Sequence, residues 1–183
     1  MKTLIINGSP HLNGNTCALT KLLLSEISGE HKLINAYYAD AAPCTDCRRC
    51  QKTAVCAVKD GMTEIYDYID VCDSVVIASP IYFGELTPPV LSIGSRLQAY
   101  YCGNKLSKAE QSSSHKKGGI ILTGGGSSSG ENAVKTAKIL LKQMGAKEIF
   151  NPVCSLNTDK MSVLEDREAM GKISELAKYL NNV

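Results

Sequence analysis

Near the N-terminus lies the stretch Leu4-Ile5-Ile6-Asn7-Gly8-Ser9-Pro10-His11-Leu12-Asn13-Gly14-Asn15-Thr16, which is the strongest indication of the fold in the sequence. Its first three residues form a continuous apolar run, typical of a strand buried on both faces of a parallel sheet. Apolar residues then recur at helical spacing from Leu19 to Ile27. The stretch therefore predicts a buried strand that passes through a glycine-rich loop into a helix.

The loop after this strand has the composition of a phosphate site. Gly8 and Gly14 allow tight turns, and the polar residues of the loop offer neutral donors near a helix N-terminus, which attracts anions. These donors are Ser9, Asn13, Asn15 and Thr16. The motifs GxxxxGK[ST] and GxGxxG are both absent, which disfavours ATP, GTP and a dinucleotide here. The loop suits a terminal phosphomonoester; the alternative is an ordinary turn capped by Asn or Thr.

Strands and helices alternate along the rest of the chain. Further strands are predicted at 31–37, 74–78, 118–123 and 149–154. Helices are predicted over the apolar stripes of 19–27, 62–69, 88–101, 133–144 and 162–180, and residues 103–117 as an exposed, mobile connection. Such alternation requires crossover connections and a parallel sheet. We expect a flavodoxin-like, doubly wound five-stranded α/β sheet of order 2-1-3-4-5, with three layers.

Composition and charge limit the number of domains, the kinds of partner and the compartment of the protein. The 183 residues suit one domain, 1–183, and a formal charge of +2 gives no reason to expect nucleic acid or an anionic membrane as partner. The N-terminus lacks a secretory pattern and no apolar run reaches the length of a membrane span. We therefore expect a cytoplasmic protein, in which eight cysteines serve as thiols, metal ligands or redox centres.

Three unusual loops follow neighbouring strands of this predicted sheet. They are Gly8 to Thr16, then Ser79-Pro80-Ile81-Tyr82-Phe83-Gly84, then Thr123-Gly124-Gly125-Gly126. Ligands of doubly wound sheets bind beyond the carboxyl ends of the strands, where the strand order reverses. The first loop would hold a phosphate, and the other two would hold a flat ring. The three loops together predict an FMN site.

These three motifs, in this order, resemble the NAD(P)H-dependent FMN reductase family, and the resemblance covers nearly the whole chain. It implies that Ser9, Asn15 and Thr16 bind the FMN phosphate, with His11 where many relatives carry a basic residue. It also implies that 80–84 lie against the isoalloxazine ring and that 124–126 line its other edge. The sequence departs from the family where relatives carry a Lys and an Asp-Arg pair, since it has Leu91 and Ser95-Arg96.

The resemblance also implies an activity. Hydride would pass from NAD(P)H to bound FMN, and electrons would then pass to a small acceptor such as a quinone or a flavin, or to a redox protein. The cofactor would carry the chemistry, so no catalytic side chain is expected. A homodimer or higher homo-oligomer is implied, with the flavin near the interface.

Four cysteines cluster in a predicted insertion at about 39–61. Cys44, Cys47, Cys50 and Cys56 have the spacing CxxCxxCxxxxxC, which can bind one [4Fe-4S] cluster. The spacing resembles that of iron-sulfur flavoproteins, and Arg48, Arg49 and Lys52 would offset negative charge. Free thiols beside the flavin are an equal alternative, and zinc is a weaker one. The other cysteines are expected to pack as small apolar groups: Cys17, Cys72, Cys102 and Cys154.

Two rival functions remain open at this stage. In the first, an iron-sulfur flavoprotein transfers electrons between FMN and a cluster on the four clustered cysteines. In the second, the chain is a flavodoxin-like electron carrier without turnover. Such carriers are typically strongly acidic, and this chain is not.

Overall fold

The computed structural model describes residues 1–107, 115–126 and 129–182. Within them, a single parallel sheet has the order β2-β1-β3-β4-β5, and a further strand, β6, pairs with β4. The strands are β1 (Lys2–Asn7), β2 (Glu30–Asn35), β3 (Ser74–Pro80), β4 (Lys116–Gly124), β5 (Ala146–Ile149) and β6 (Val153–Leu156). The predicted flavodoxin-like order is confirmed.

Helices cover both faces of the sheet. They are α1 (Asn15–Glu26), α2 (Cys50–Thr53), α3 (Met62–Val71), α4 (Pro88–Arg96), α5 (Gln98–Ser107), α6 (Glu131–Gln143) and α7 (Arg167–Asn181). One core joins the sheet to α3, α4 and α6, and the other joins it to α1 and α7. Successive strand residues serve opposite cores, as Leu4 and Ile5 do, which explains the continuous apolar runs.

The predicted fifth strand is divided in two, so the prediction of a single strand at 149–154 is wrong. β5 pairs with the start of β4 and β6 with its end. Pro152 lies between them and has no N–H group to donate to a strand ladder. The separation lets β6 carry the chain along β4 to the carboxyl edge of the sheet, beside Gly124.

The predicted helix at 88–101 is two helices, α4 and α5. The break falls at Leu97, whose N–H donates to the carbonyl of Gly94 at 3.1 Å, a tighter turn than an α-helix makes. The predicted connection 103–117 is also wrong at both ends, because α5 extends to Ser107 and β4 begins at Lys116. Residues 108–114 lie outside the described residues.

The end of β2 and the start of the last helix also differ from the prediction, because side chains accept backbone N–H groups there. β2 ends at Asn35 instead of residue 37, because the Asn35 side chain and carbonyl accept the N–H groups of Tyr37 and Tyr38. The last helix begins at Arg167 instead of residue 162, where the Asp166 carboxylate caps the N–H of Ala169 at 2.9 Å. No helix in 1–107, 115–126 or 129–182 is long and apolar enough to cross a membrane.

Candidate functional site

The three predicted loops line one open cleft at the carboxyl edge of the sheet, with a volume of about 280 Å³. Most of the predicted cofactor-binding residues line it: Ser9, His11, Asn15, Thr16, Pro80, Ile81, Tyr82, Thr123, Gly124 and Gly125. Four predicted residues are not in this lining: Asn13, Phe83, Gly84 and Gly126. Asn13 instead accepts a hydrogen bond from Lys21 at 3.3 Å.

The N-terminus of α1 opens this cleft at its polar end. Gly14 occupies the N-cap position and no side chain of the described chain caps the helix. The predicted alternative, a turn capped by Asn or Thr, is therefore not what the structure has. The first N–H groups of an α-helix need acceptors from outside the helix, and an anion can supply them. The cleft thus fits a phosphate group at this end.

Hydrogen bonds hold the first loop in shape from behind. The Gly8 N–H donates to the Ala78 carbonyl at 2.7 Å, and the Thr87 hydroxyl donates to the Gly8 carbonyl at 2.9 Å. A Cβ on Gly8 would stand 2.5 Å from Thr87 Oγ1, so only glycine permits this approach. The Ser9 hydroxyl donates to the carbonyl of His11 and accepts its N–H. The loop is ordered by its own contacts.

The second loop contains a tight turn with an aromatic residue at its tip. Tyr82 and Glu85 exchange backbone hydrogen bonds of 2.9 and 3.0 Å, with φ of +53° at Phe83 and +82° at Gly84. Positive φ at both central residues defines a type I′ turn, which favours Asn or Gly, and a bulky residue there is strained. Phe83 is also fully exposed. Phe83 therefore combines backbone strain with a fully exposed ring.

Residues after β6 support the third loop. The Thr158 N–H donates to the Gly124 carbonyl at 3.0 Å, and the Gly126 N–H donates to Asp159 Oδ1 at 3.1 Å. This backbone bond lowers the pKa of the Asp159 carboxyl. Thr158 lines the cleft, yet it was missed in the sequence. The signal that would have found it is its position after the last strand, at the same sheet edge.

All four clustered cysteines line one shallow depression beside Arg96. Cys44 and Cys47 are exposed, and Cys50 and Cys56 are half-buried. Within the described residues, no three His, Cys, Asp or Glu side chains stand close enough together to hold a metal ion. The fold thus brings the four residues to one place without closing their sulfur atoms around a centre.

Arg96 joins the two ends of the cysteine segment, and the sequence did not reveal this role. Its guanidinium donates to Asp60 Oδ2 at 2.7 Å and to Asp60 Oδ1 at 3.1 Å. It also donates to the carbonyls of Ala42 and Val58. Next to it, the Ser95 hydroxyl accepts the Cys44 N–H at 2.9 Å. A charged residue on the apolar face of a helix was the available signal.

The hydrogen bonds between Arg96 and Asp60 stabilise the charged form of both side chains. The hydrogen bonds from Arg96 hold the pKa of the Asp60 carboxyl below its usual value. Burial would lower the pKa of the Arg96 guanidinium, but its bonds to Asp60 and Cys56 raise it. Arg48, predicted to offset thiolate charge, also lines the depression and pairs with Asp46 at the surface. The buried cation at the depression is Arg96.

One cysteine outside the motif reaches this region. Cys102, on α5, is buried, and its Sγ lies 3.7 Å from the Sγ of Cys50. Burial, together with the hydrogen bond to Cys102, raises the pKa of Cys50 to about 11. The other cysteines outside the motif lie elsewhere: Cys17 accepts from Asn7 Nδ2, Cys72 is buried, and Cys154 is half-buried.

The strand order, the helices on both faces and the cleft at the carboxyl edge define a flavodoxin-like α/β protein. Residues 1–160 match the family model described as NADPH-dependent FMN reductase. The chain belongs to the NADPH-dependent FMN reductase family, which confirms the resemblance stated from the three loops.

Iron-sulfur flavoproteins are among its relatives. One from Methanocaldococcus jannaschii is 28% identical over 109 residues, covering 58% of this chain and 56% of that protein. One from Archaeoglobus fulgidus is 31% identical over 107 residues, covering 57% of this chain and 52% of that protein. The chain spans about half the length of the curated relatives it matches.

Solved structures share the fold. An NAD(P)H:quinone oxidoreductase from Methanothermobacter marburgensis superposes with a TM-score of 0.75 at 10% identity, covering 100% of this chain and 97% of that one. An FMN-dependent NADH-azoreductase from Bacillus anthracis, solved with FMN, gives a TM-score of 0.70 at 16% identity and covers 99% of both chains. At these identities the likeness concerns the fold alone.

Proposed function

We propose that this protein is an FMN-dependent NAD(P)H oxidoreductase that delivers electrons to a small acceptor such as a quinone or a free flavin. The observation that carries the proposal is the single cleft lined by the three loops, with the uncapped N-terminus of α1 at its polar end. Family membership supports FMN and a nicotinamide co-substrate.

Different residues of the cleft would bind different parts of FMN. The first-turn N–H groups of α1, with Ser9, Asn15 and Thr16, would hold the FMN phosphate. The backbone at 80–82 and 123–125 would lie against the ring and provide donors and acceptors to it. When bound, FMN supplies hydride transfer, and the protein supplies position and polarity.

We also propose that the protein acts as a homodimer or higher homo-oligomer in the cytoplasm. The full exposure of Phe83 beside the cleft supports an additional contact at this place, from a ligand or from a second copy.

Anaerobic reduction of the flavin tests the oxidoreductase. The purified protein, loaded with FMN and mixed with NADH or NADPH, should lose its visible flavin absorbance and regain it when a quinone is added. Thr16→Val should retain less FMN, whereas Asn13→Ala, outside the cleft lining, should retain as much as the wild type. A flavin that neither nicotinamide reduces would refute the proposal.

A second candidate function is electron transfer between FMN and a [4Fe-4S] cluster. It is favoured by the four cysteines that line one depression and by the iron-sulfur flavoproteins among the relatives. Cys44, Cys47, Cys50 and Cys56 would be the ligands, as the sequence predicted, and the segment would have to close around the cluster. A [4Fe-4S] centre takes four Cys ligands.

Anaerobic purification decides on this candidate. We expect brown protein with about four iron and four sulfide per chain, the content of one [4Fe-4S] centre. Cys44→Ser should lose both, and Cys154→Ser, outside the segment, should keep them. Colourless or merely yellow protein without iron would exclude the cluster, and free thiols beside the flavin would be the remaining alternative.

A further inference from the structure

We propose that Cys50 and Cys102 form an intramolecular disulfide that competes with any cluster for Cys50. The inference deepens the second candidate function in one respect, the competition; the disulfide itself does not depend on a cluster. It starts from Cys102, the one cysteine outside the predicted motif that the described structure places next to a motif cysteine.

The geometry suits bond formation. The two sulfur atoms are 3.7 Å apart, and a disulfide requires about 2.0 Å. Cys50 begins α2, a helix of four residues without a buried side chain, and α2 packs against α5, which carries Cys102. Gln98 Nε2 lies 3.8 Å from the Cys102 sulfur and helps to fix its position. A small movement of α2 would close the remaining distance.

Burial assigns a different role to each thiol. Cys50 is half-buried at the depression, where a soluble disulfide can reach it, and Cys102 is buried behind it. Cys50 would therefore react with the oxidant first, and Cys102 would then resolve the mixed disulfide on Cys50. In a reducing cytosol such bonds are transient and sense oxidants.

The reaction balances with glutathione disulfide as the oxidant. The Cys50 thiolate, a minor species at neutral pH because the pKa of Cys50 is raised, attacks one sulfur of glutathione disulfide more readily at mildly alkaline pH, and the S–S bond of the oxidant breaks and releases one glutathione. The Cys102 thiolate then attacks the Cys50 sulfur and releases the second glutathione. The two thiol protons pass to the departing thiolates, so the protein is oxidised by two electrons and two glutathiones are formed.

Peptide mapping of the oxidised full-length protein tests the bond. Trypsin places Cys50 on the peptide 50–52, Cys102 on 97–105 and Cys56 on 53–59, so each linkage gives a distinct mass. After treatment with glutathione disulfide and alkylation of the remaining thiols, 50–52 should be linked mainly to 97–105. Cys154→Ser should retain this link and Cys102→Ser should lose it. Linkage of Cys50 chiefly to another cysteine of the segment, or full alkylation of Cys50, would overturn the proposal.

Iron uptake tests the competition. Because a [4Fe-4S] centre needs four Cys ligands, prior oxidation should lower the iron uptake of the wild type by roughly fivefold, and a thiol reductant should restore it. Oxidation should not affect uptake by Cys102→Ser. If reduced Cys102→Ser takes up less iron than the wild type, Cys102 is itself a ligand and the competition is refuted. If no variant takes up iron, the second candidate function fails, while the peptide map still decides on the disulfide.

Discussion

The hydroxyl oxygens of Thr16 and Thr123 lie 2.6 Å apart, although 107 residues separate them in the chain. Thr16 is in the first turn of α1 and Thr123 is near the end of β4, so the contact passes over β3, the strand between β1 and β4. Both residues are buried and both line the cleft. This hydrogen bond joins the end of the cleft at α1 to its opposite wall.

Replacing one threonine with valine should cost more than replacing both. Thr16→Val or Thr123→Val alone leaves a buried hydroxyl without its partner, and this costs about 1–3 kcal/mol of the free energy of unfolding. The double variant removes both polar groups and should lose no more than one single variant does. Urea unfolding of the four proteins measures this cycle. Additive losses would mean that the two hydroxyls are not coupled.

We expect Phe83 to lower the stability of the protein and to support its activity. Asn tolerates positive φ better than Phe or Ala, so Phe83→Asn should raise the free energy of unfolding by about 0.5–1 kcal/mol relative to Phe83→Ala. Both variants lack the exposed ring and should reduce a quinone more slowly than the wild type does. Urea unfolding and steady-state assays separate the two effects. Undiminished turnover in both variants would exclude the ring from the site.

Loss of the buried cation should destabilise the protein far more than loss of a surface one. Arg96→Met leaves Asp60 as a largely buried carboxylate without its partner, a change that costs roughly 3–5 kcal/mol. Arg48→Met removes the exposed pair with Asp46 and should change the free energy of unfolding by less than about 1 kcal/mol. Chemical unfolding at neutral pH compares the two. Equal losses would show that Arg96 does not hold the segment.

Ionisation of Asp60 should make the free energy of unfolding depend on pH in the acid range. Its pKa is lowered in the folded protein by Arg96, so the folded state favours the ionised carboxylate. Its contribution is fully present above the unfolded pKa of about 3.9 and is lost as pH falls through the lower folded pKa. The wild type should therefore exceed Asp60→Asn in stability at neutral pH, and the difference should shrink in acid. A difference that stays constant down to low pH would contradict this account. Asp46→Asn, at the surface, is the control.

The features that sequence patterns predicted are local. Continuous apolar runs mark strands that serve two cores, and alternation with helices requires a parallel sheet, whose carboxyl ends share one edge. The three loops could therefore be placed together before their contacts were known. Gly8, Gly14 and Gly84 were recognisable as loop residues because tight turns favour glycine.

Other features could not be predicted from the sequence because they depend on contacts between residues that are distant in the chain. Pro152 is a local signal of a break in the predicted fifth strand, but nothing near it in sequence shows that both parts pair with β4. Nothing near Thr158 shows that it reaches the cleft. Likewise, the boundary between α4 and α5 at Leu97 follows from how both helices pack, since either could continue by propensity alone.

Patterns in the sequence were enough to predict the alternating strands and helices, the three loops and the resemblance to the family, because hydrophobic periodicity and turn residues belong to neighbouring positions in the chain. Two contacts are visible only in the folded protein: Arg96 joins both ends of the cysteine segment, and Cys102 lies against Cys50. Buried ion pairs and thiol contacts depend on how separate elements approach each other in space, so the residues next to Arg96 or Cys102 in the chain do not show which partner each one meets.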